Sequence, residues 1–578
     1  MSTVAAIARV VPGVDMLRDY RPAWLGKDVT AGLVLTALLV PQGMAYAELA
    51  GLPPITGLYT TVLCLLGYAA FGPSKVLVLG PDSSLGPMIA ATVLPLVTAN
   101  GDPGRAVAYA SMLALMVGAI TIAAGVFRLG FIADLLSKPT QIGYINGLAL
   151  TIVIGQLPKL FGFSVDGDGL VAEATEFVRG VADGRTVPAA LTVGLGSLAV
   201  ILLFNRFLPR IPGVLVAVVL AIGAVAVFDL ADRGVKLVGT LPEGFPPFTI
   251  PTVPWSDLGL LFAGALGIAL VSLTDTISTA SAFAGRRGED VDGNREMIGI
   301  GAANVAAGFF QGFPVSTSGS RTAVAEQNGA RSQVTGLVGA GAVTLMLVFF
   351  PGLLRNLPQP TLAAIVIAAS ISLADLPGMH RLWRQRRSDF ALALAAFLGV
   401  ALLGVLPGIA IAVALSVLNV FSRVWRPDRA QLGKVEGLKG YHDTESYPSA
   451  MQLPGLILYR FSSPLIFANA NTFRDDLRRF AEASPPPTWI VVTAEPITDV
   501  DTTAADMLAD LETWLNARGI TMVFAEVKDP VKAKIDRYEL TATIEPKHFF
   551  PTIGSAVHAY REKTGLDWPD RDEEQDPG

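Results

Sequence analysis

The sequence predicts an α-helical polytopic membrane protein that ends in a separate α/β domain, and three observations carry that reading. Of 578 residues, 52% are hydrophobic and 16% charged, with mean hydropathy +0.52; a soluble domain carries about 25% charged residues. The charge is also uneven. Lys and Arg are sparse from Asp28 to about Val424, whereas acidic and basic residues mix from about Pro427 to Gly578. Finally, two short polar segments interrupt apolar runs at corresponding places in the two halves: Gly80-Pro81-Asp82-Ser83-Ser84, and Gly312 through Arg321.

A membrane span needs about 20 apolar residues. In chain order the candidates are 29–49, 55–71, 106–127, 142–157, 187–207 and 212–230, then 258–285, 296–312, 334–354, 362–373, 390–406 and 409–424. The broken segments add half-spans at 82–98 and 318–328, and 129–138 extends or precedes the span after it. Arg9, Arg18, Arg21 and Lys27 precede the first span. With that end cytoplasmic, the basic clusters at Arg206/Arg210, Arg286/Arg287/Arg295 and Arg381–Arg387 also fall inside. The long loops 161–186 and 231–254 fall outside, and the first is acidic at Asp166, Asp168, Glu173 and Glu176. This is the positive-inside pattern, and it puts both termini in the cytoplasm. The first 27 residues lack the apolar core of a signal peptide. Cys64 is the single cysteine, so no intrachain disulfide can form.

Beyond a polar linker at 426–450, runs at 456–461, 489–493 and 520–524 read as strands. Amphipathic helices at 471–482 and 503–517 alternate with them, which suggests a layered βαβ-type domain. The tail from 566 to 578 is acidic and the net charge is −6. A nucleic-acid partner would need a basic footprint, so none is expected.

Backbone can leave helical hydrogen bonding in a bilayer only where the freed groups face protein or a watery cavity. Paired interruptions in two halves are a sequence pointer to the substrate site of a secondary transporter. Val76 to Pro81 is expected to be extended, with a half-helix starting at Asp82 or Ser83; Phe313 to Val315 is expected to be extended, with Ser316 to Ser320 opening the second. The free N–H groups and positive dipole end of such a helix start suit an anion. Ser83, Ser84, Ser318 and Ser320 can add hydroxyl donors, although Ser and Pro at helix starts are also ordinary capping chemistry. Arg321 is an intramembrane charge; either it contributes positive charge to an anion site or it pairs with Glu326 or Asp275.

Pro41 breaks the ladder of the first span. Gln42 and Tyr46, four apart, share one face and either line the pocket or pack between helices. Glu48, off that face, is a candidate proton-coupling carboxylate or an interfacial residue. Asp275 and Thr279 share a face of an otherwise uncharged span. A carboxylate with hydroxyls can take Na⁺ or carry a coupled proton; alternatively, Asp275 locks the half-helix of Arg321. Phosphate-binding loop, nucleophile-elbow and zinc-protease motifs are absent. Neither an enzyme nor a bound cofactor is expected, nor any metal other than Na⁺, with Na⁺ or H⁺ as the coupling ion. Two competing readings are a nucleobase permease and a membrane-anchored regulator.

Pro41-Gln42-Gly43-Met44-Ala45-Tyr46-Ala47, running through Ala50-Gly51-Leu52-Pro53-Pro54 to Gly57-Leu58-Tyr59, resembles the signature of the SulP family of anion permeases, relatives of the solute carrier 26 proteins. Asn294-Arg295-Glu296, Gly301 to Asn304 and Ser320-Arg321-Thr322 resemble it too, and the likeness covers about 12–565. It implies fourteen membrane segments in two inverted repeats of seven, about 28–229 and 255–425, forming a core and a gate domain. It also implies a cytoplasmic STAS domain at 451–565 and a homodimer in the plasma membrane. The substrate, a small inorganic or carboxylate anion, would lie between the third and tenth segments, at Asp82, Ser83, Ser84, Ser318, Ser320 and Arg321, with Gln42 and Tyr46 from the first. Asp82 sits where many relatives have a small or apolar residue; a charged Asp would repel an anion, so it is either protonated with substrate or turned away. Thr274-Asp275-Thr276 is similar to the Na⁺-site segment of bicarbonate members. Asp499 to Ala504 resembles the STAS loop in which soluble relatives phosphorylate a Ser, so Asp501, Thr502 and Thr503 are implied as a regulatory or partner-contact loop, or Asp501 and Thr502 as a plain helix cap.

Overall fold

A computed structural model describes residues 11–97, 103–130, 137–165, 167, 169–208 and 211–566. Arg9, Asp166, Asp168, Arg210 and the acidic tail beyond 566 lie outside the described residues. The chain divides into two compact units, Met1–Ser416 and Val417–Gly578.

In the first unit a short helix, α1 (Pro12–Arg18), precedes the first repeat. That repeat comprises α2 (Leu25–Leu49), α3 (Pro54–Phe71), strand β1 (Leu79–Gly80) leading to α4 (Gly86–Val97), α5 (Pro103–Val126), α6 (Lys138–Leu160), the amphipathic α7 (Leu170–Ala182), α8 (Pro188–Phe207) and α9 (Gly213–Phe228). The second comprises α10 (Leu258–Gly285), α11 (Gly293–Gly308), β2 (Ser316–Thr317) leading to α12 (Gly319–Gln327), α13 (Val334–Phe349), α14 (Gln359–Leu373), the amphipathic α15 (Leu376–Gln385), α16 (Arg387–Leu403) and α17 (Val405–Trp425). With α1, α7 and α15 set aside, fourteen segments remain among the described residues, seven on each side of Asp229. Seven helices among the described residues are long and apolar enough to span by themselves.

The repeats are inverted copies, and the packing shows it. α5 packs on α11 as α13 packs on α3; α2 packs on α13 as α10 packs on α5; α6 packs on α16 as α14 packs on α8. The signature glycines set the closest approach between α2 and α3, since a Cβ on Gly57 would lie 1.9 Å from the Gly43 carbonyl. Glycine alone fits there.

β1 and β2 meet antiparallel, Leu79 opposite Thr317 and Gly80 opposite Ser316. Side chains from four helices hold the extended backbone around this pair. Thr60 Oγ1 accepts from Phe313 N at 3.1 Å, Asn304 Oδ1 accepts from Val315 N at 3.0 Å, and Ser272 Oγ donates to Val315 O at 2.9 Å. Gln333 Nε2, at the foot of α13, donates to Ser74 O and Leu77 O at 2.8 and 2.9 Å. Non-helical backbone is thus satisfied by protein inside the bundle, as a bilayer requires.

Two expected helix starts shift. The first i→i−4 bond of the first half-helix runs from Gly86 N to Asp82 O, but regular helix begins only at Gly86. Asp82 Oδ1 takes the Ser84 N–H in a tight turn, and that competes with helical geometry. In the second, Ser316 and Thr317 are strand rather than helix, and Ser318 is the cap, accepting from Arg321 N.

The second unit is a six-stranded sheet in the order β4-β3-β5-β6-β7-β8. Its strands are β3 (Arg429–Lys434), β4 (Tyr441–Asp443), β5 (Leu456–Phe461), β6 (Trp489–Thr493), β7 (Thr521–Ala525) and β8 (Phe549–Phe550). β5 to β8 run parallel, and β3 is antiparallel to both its neighbours. Alternate residues face opposite layers. Tyr459, Ile490 and Phe524 face α18 (Ala470–Ala481), α19 (Thr502–Asn516) and α20 (Asp529–Arg537), while Leu458, Val491 and Val523 face α21 (Ile553–Thr564). The segment expected to be a linker, 426–450, instead supplies β3 and β4. Its polar residues fall on the edge strand β4 and on β3 beside it, so composition alone concealed them.

Candidate functional site

Both half-helix starts open onto one cavity of about 260 Å³. Tyr46, Asp82, Ser83, Ser84, Asp275, Ser278, Thr279, Thr317, Ser318, Ser320 and Ser372 line it. Tyr46, Asp82, Ser83, Ser84, Ser318 and Ser320, expected to bind the anion, therefore share one chamber with Asp275 and Thr279, expected to couple its movement. A larger chamber of about 650 Å³ adjoins it, sharing Tyr46, Ser320, Ala369 and Ser372. Gln42 lines this outer chamber with Asn205, Gln327 and Asn328 and does not line the smaller one.

Polar atoms in the cavity are linked in a chain. Ser84 Oγ lies 2.8 Å from Asp82 Oδ1 and 3.1 Å from Asp275 Oδ2. The other Asp82 oxygen, Oδ2, is 3.8 Å from Arg321 Nη2, which also donates to Pro81 O at 2.7 Å. Arg321 is 1% exposed and does not line the cavity. Its ion-pair partner is Asp82, not Glu326 or Asp275: Glu326 is taken by Arg286 and Arg287. The reason is the β1–β2 pair, which brings Gly80 and Pro81 against the guanidinium; a Cβ at Gly80 would meet Arg321 Nη1 at 2.7 Å. Asp82 thus turns one oxygen toward Arg321 while still lining the cavity.

Hydroxyl commitments sort the serines. Ser318 Oγ accepts from Arg321 N and lies 3.1 Å from Ser320 Oγ. Ser320, exposed to the cavity, is freer to meet a ligand. On α10, Thr274 and Thr276 donate to their own helix at Leu270 O and Ser272 O, which leaves Thr279 and Ser278 beside Asp275. Glu48 lines neither chamber; its backbone carbonyl faces Lys159 Nζ at 3.4 Å.

In the second unit Asp501 caps α19. Its Oδ1 accepts from Ala504 N at 2.8 Å and its Oδ2 from Phe467 N at 2.7 Å. Thr502 and Thr503 are exposed on the first turn. Asp499 pairs with Lys534, whose ammonium holds that carboxyl below the usual range. Among the described residues, no group of three or more His, Cys, Asp or Glu side chains is placed to hold a metal.

Sequence reasoning missed Ser278, Ser372 and Thr317. The first two lie one helical turn from residues it did single out or at the end of an apolar run, and Thr317 gains its place only through strand pairing.

Comparison with known proteins follows the same lines. Residues 25–396 match the model of the sulfate permease family, and residues 447–556 that of the STAS domain. A probable sulfate transporter of Mycobacterium tuberculosis is 42% identical over 553 residues, covering 96% of this chain and 98% of the relative. The probable sulfate transporter 3.3 of Arabidopsis thaliana is 30% identical, over 96% of this chain and 91% of that one. Among solved structures, the murine solute carrier 26 family member A9 anion transporter in the inward-facing state superposes with a TM-score of 0.88 at 24% identity, over 96% and 95% of the two chains. The transmembrane domain of the cyanobacterial bicarbonate transporter BicA superposes with a TM-score of 0.60 at 20% identity, over 69% of this chain and 98% of that one; both likenesses concern the fold.

Proposed function

Because the chain belongs to the sulfate permease family, we propose that it is a secondary active transporter, carrying sulfate or a related small anion across the plasma membrane in symport with H⁺ or Na⁺. The observation that carries this reading is the chamber at which two half-helix starts converge, with Ser83, Ser84, Ser318 and Ser320 on its wall. Backbone N–H groups, two converging positive dipole ends and hydroxyls solvate an anion there. Tyr46 closes one side and Gln42 lines the way in.

Charge arithmetic supports symport over uniport. Asp82 and Asp275 against Arg321 leave the chamber at −1 when all three are ionised, and an anion entering alone would meet repulsion in a low-dielectric site. A proton or Na⁺ on Asp275, with Thr279 beside it, removes that repulsion. Charge returning to an emptied site then resists the unloaded crossing, which is the requirement for coupling. We assign no coupling role to Glu48, which faces neither chamber. The termini are cytoplasmic in this reading, the assembly is a homodimer of independently transporting chains, and Thr502 and Thr503 offer an exposed regulatory or partner contact on the STAS domain.

Purified protein in proteoliposomes tests the reading. Uptake of labelled sulfate, bicarbonate and fumarate is measured under imposed H⁺ and Na⁺ gradients. Gradient-dependent accumulation of sulfate is expected. Accumulation of bicarbonate with Na⁺, or of fumarate, would move the substrate within the same chamber, and failure to move any anion would refute the proposal.

A further inference from the structure

The two amphipathic helices hold equivalent places in the inverted repeats but carry opposite charge. α7 packs on α6 and α16, and α15 packs on α16 and α6. On α7, Glu173 and Glu176 outnumber Arg179. α15 has no acidic residue; Arg381 and Arg384 lie on it, and Arg386 and Arg387 follow its end. All four are exposed. Arg386 meets Asp389 at 3.7 Å, whereas Arg381, Arg384 and Arg387 have no ion-pair partner among the described residues. Packing fixes where this charge sits. Leu382 is buried against Ile142 and Ala393, in the second turns of α6 and α16. α15 therefore lies at the membrane face from which both helices start. Its ten residues reach only about 15 Å and cannot cross a bilayer. Leu376 and Trp383 stay 69% and 54% exposed, although Trp383 stands edge-on to Phe390 with ring centres 4.8 Å apart. Exposed Trp and Leu beside unpaired guanidinium groups form the pattern of a helix lying in the interface of an anionic bilayer.

We infer that α15 is a docking surface for anionic phospholipid headgroups, and that lipid held there steadies the end of α14, which is part of the chamber wall. Guanidinium groups take phosphate oxygens bidentately, while Leu376 and Trp383 enter the acyl boundary. The exposed apolar side chains favour lipid over a soluble phosphate compound. A surface of arginines without an acid on the helix favours an anionic headgroup over a zwitterionic one. The link to transport is short. Ser372 and Leu373, which close α14, line the chamber, and only Ala374 and Asp375 separate them from α15. Asp375 ties this joint on both sides: its Oδ1 accepts from Gly378 N at 2.7 Å, and its carbonyl accepts from Asn146 Nδ2 of α6 at 3.1 Å. A headgroup that seats α15 thereby holds the joint between α14 and α6. In the orientation proposed above, this is the cytoplasmic leaflet. The docking stands apart from the choice of anion; only its effect on rate rests on the transport reading.

To test this, full-length protein in detergent micelles containing phosphatidylcholine is titrated with phosphatidylglycerol while Tm is followed. The wild-type Tm should rise. In the variant Arg381→Gln/Arg384→Gln/Arg387→Gln, Tm without phosphatidylglycerol should match wild type, because the three side chains are exposed and unpaired. Its titration should move to higher phosphatidylglycerol by a factor of about five for each arginine, roughly a hundredfold in all. Glycerol phosphate, which has the headgroup chemistry without acyl chains, should do nothing at the same concentration. In proteoliposomes, adding phosphatidylglycerol to phosphatidylcholine should speed uptake by the wild type and not by the triple variant, with the anion KM the same in both. A wild-type Tm indifferent to phosphatidylglycerol overturns the inference, as does a triple variant that responds like wild type. Equal action by glycerol phosphate overturns it in favour of a soluble ligand. A triple variant already altered in phosphatidylcholine alone overturns it in favour of a protein contact. An uptake rate that ignores phosphatidylglycerol while Tm responds overturns the link to α14. Should the wild-type protein move no anion, the transport reading fails by itself and the Tm titration still decides the docking.

Discussion

Ser84 has one hydroxyl proton and two carboxylates to serve. Its Oγ lies 2.8 Å from Asp82 Oδ1 and 3.1 Å from Asp275 Oδ2, and it can donate to only one of them. With both carboxylates ionised, one contact is left without a hydrogen. A proton on Asp275 completes the set: Asp275 donates to Ser84, Ser84 donates to Asp82, and Asp82 keeps its other oxygen toward Arg321. Asp275→Asn imitates the protonated group, since an amide N–H can donate where the acid did. That variant should exchange anions across the membrane but no longer accumulate them against a gradient, and counterflow compared with gradient-driven uptake separates the two. Coupling residues would lie elsewhere if the Asn variant accumulated substrate with wild-type cation dependence. Ser84→Ala should disturb cation dependence more than anion affinity. Ser320, whose hydroxyl faces the chamber, is the better probe of the anion itself. A hydrogen bond to a charged group is worth about 1.5–3 kcal/mol, so Ser320→Ala should weaken binding roughly 10- to 150-fold in a titration with the transported anion.

Elements show which parts of this architecture a sequence can disclose. Long apolar helices were legible because burial in lipid leaves a composition that nothing else produces. The two broken segments were legible because Gly, Pro and Ser clustered inside an apolar run interrupt the helix that lipid would otherwise impose. Strand pairing between β1 and β2 was not legible, and it decides the most: it sets Ser316 and Thr317 in extended backbone and brings Arg321 to Asp82 instead of Glu326. Two residues per strand carry no periodicity to read. The roles of Asn304 and Gln333 as clamps on extended backbone were equally hidden, because a buried amide looks the same whatever it holds. In the second unit, β5, β6 and β7 fell where apolar runs placed them, while β3 and β4 were concealed by their polar residues. One consequence belongs to α19. Glu512 on this helix is 0% exposed, with one carboxylate oxygen bonded to Asn516 and the other without a partner among the described residues. Burial pushes its carboxyl from the ordinary 4.5 up to about 7. Between those values the folded domain holds a proton that the unfolded chain has lost, so stability falls as pH rises through that window. Glu512→Gln should flatten this dependence and leave α19 better protected than wild type at pH 8. Hydrogen exchange of the α19 amides in full-length protein, corrected for intrinsic rates, would show it; parallel pH dependence in the two proteins would contradict the assignment.

The whole molecule divides its work between its two units, and the division can be tested by removal. Every residue lining either chamber falls between Val34 and Leu373, and the side chains that hold the extended segments come from helices α3 to α13. The inverted repeats close the site among themselves, because the main helix contacts in one half have their counterparts in the other. The STAS unit has its own sheet and two apolar layers of its own. It presents Thr502 and Thr503 on an exposed helix start, where added phosphate would meet a positive dipole end. A chain ending just after Trp425 would keep α17 whole and omit the sheet from β3 onward. Such a truncated protein should keep the same order of preference among sulfate, bicarbonate and fumarate, and the same cation requirement, while expression level, transport rate or response to cytoplasmic factors changes. Competition among the three anions in proteoliposomes measures the order directly. A changed order would mean that the second unit shapes the site, and the chamber between the half-helices would no longer account for what the protein selects.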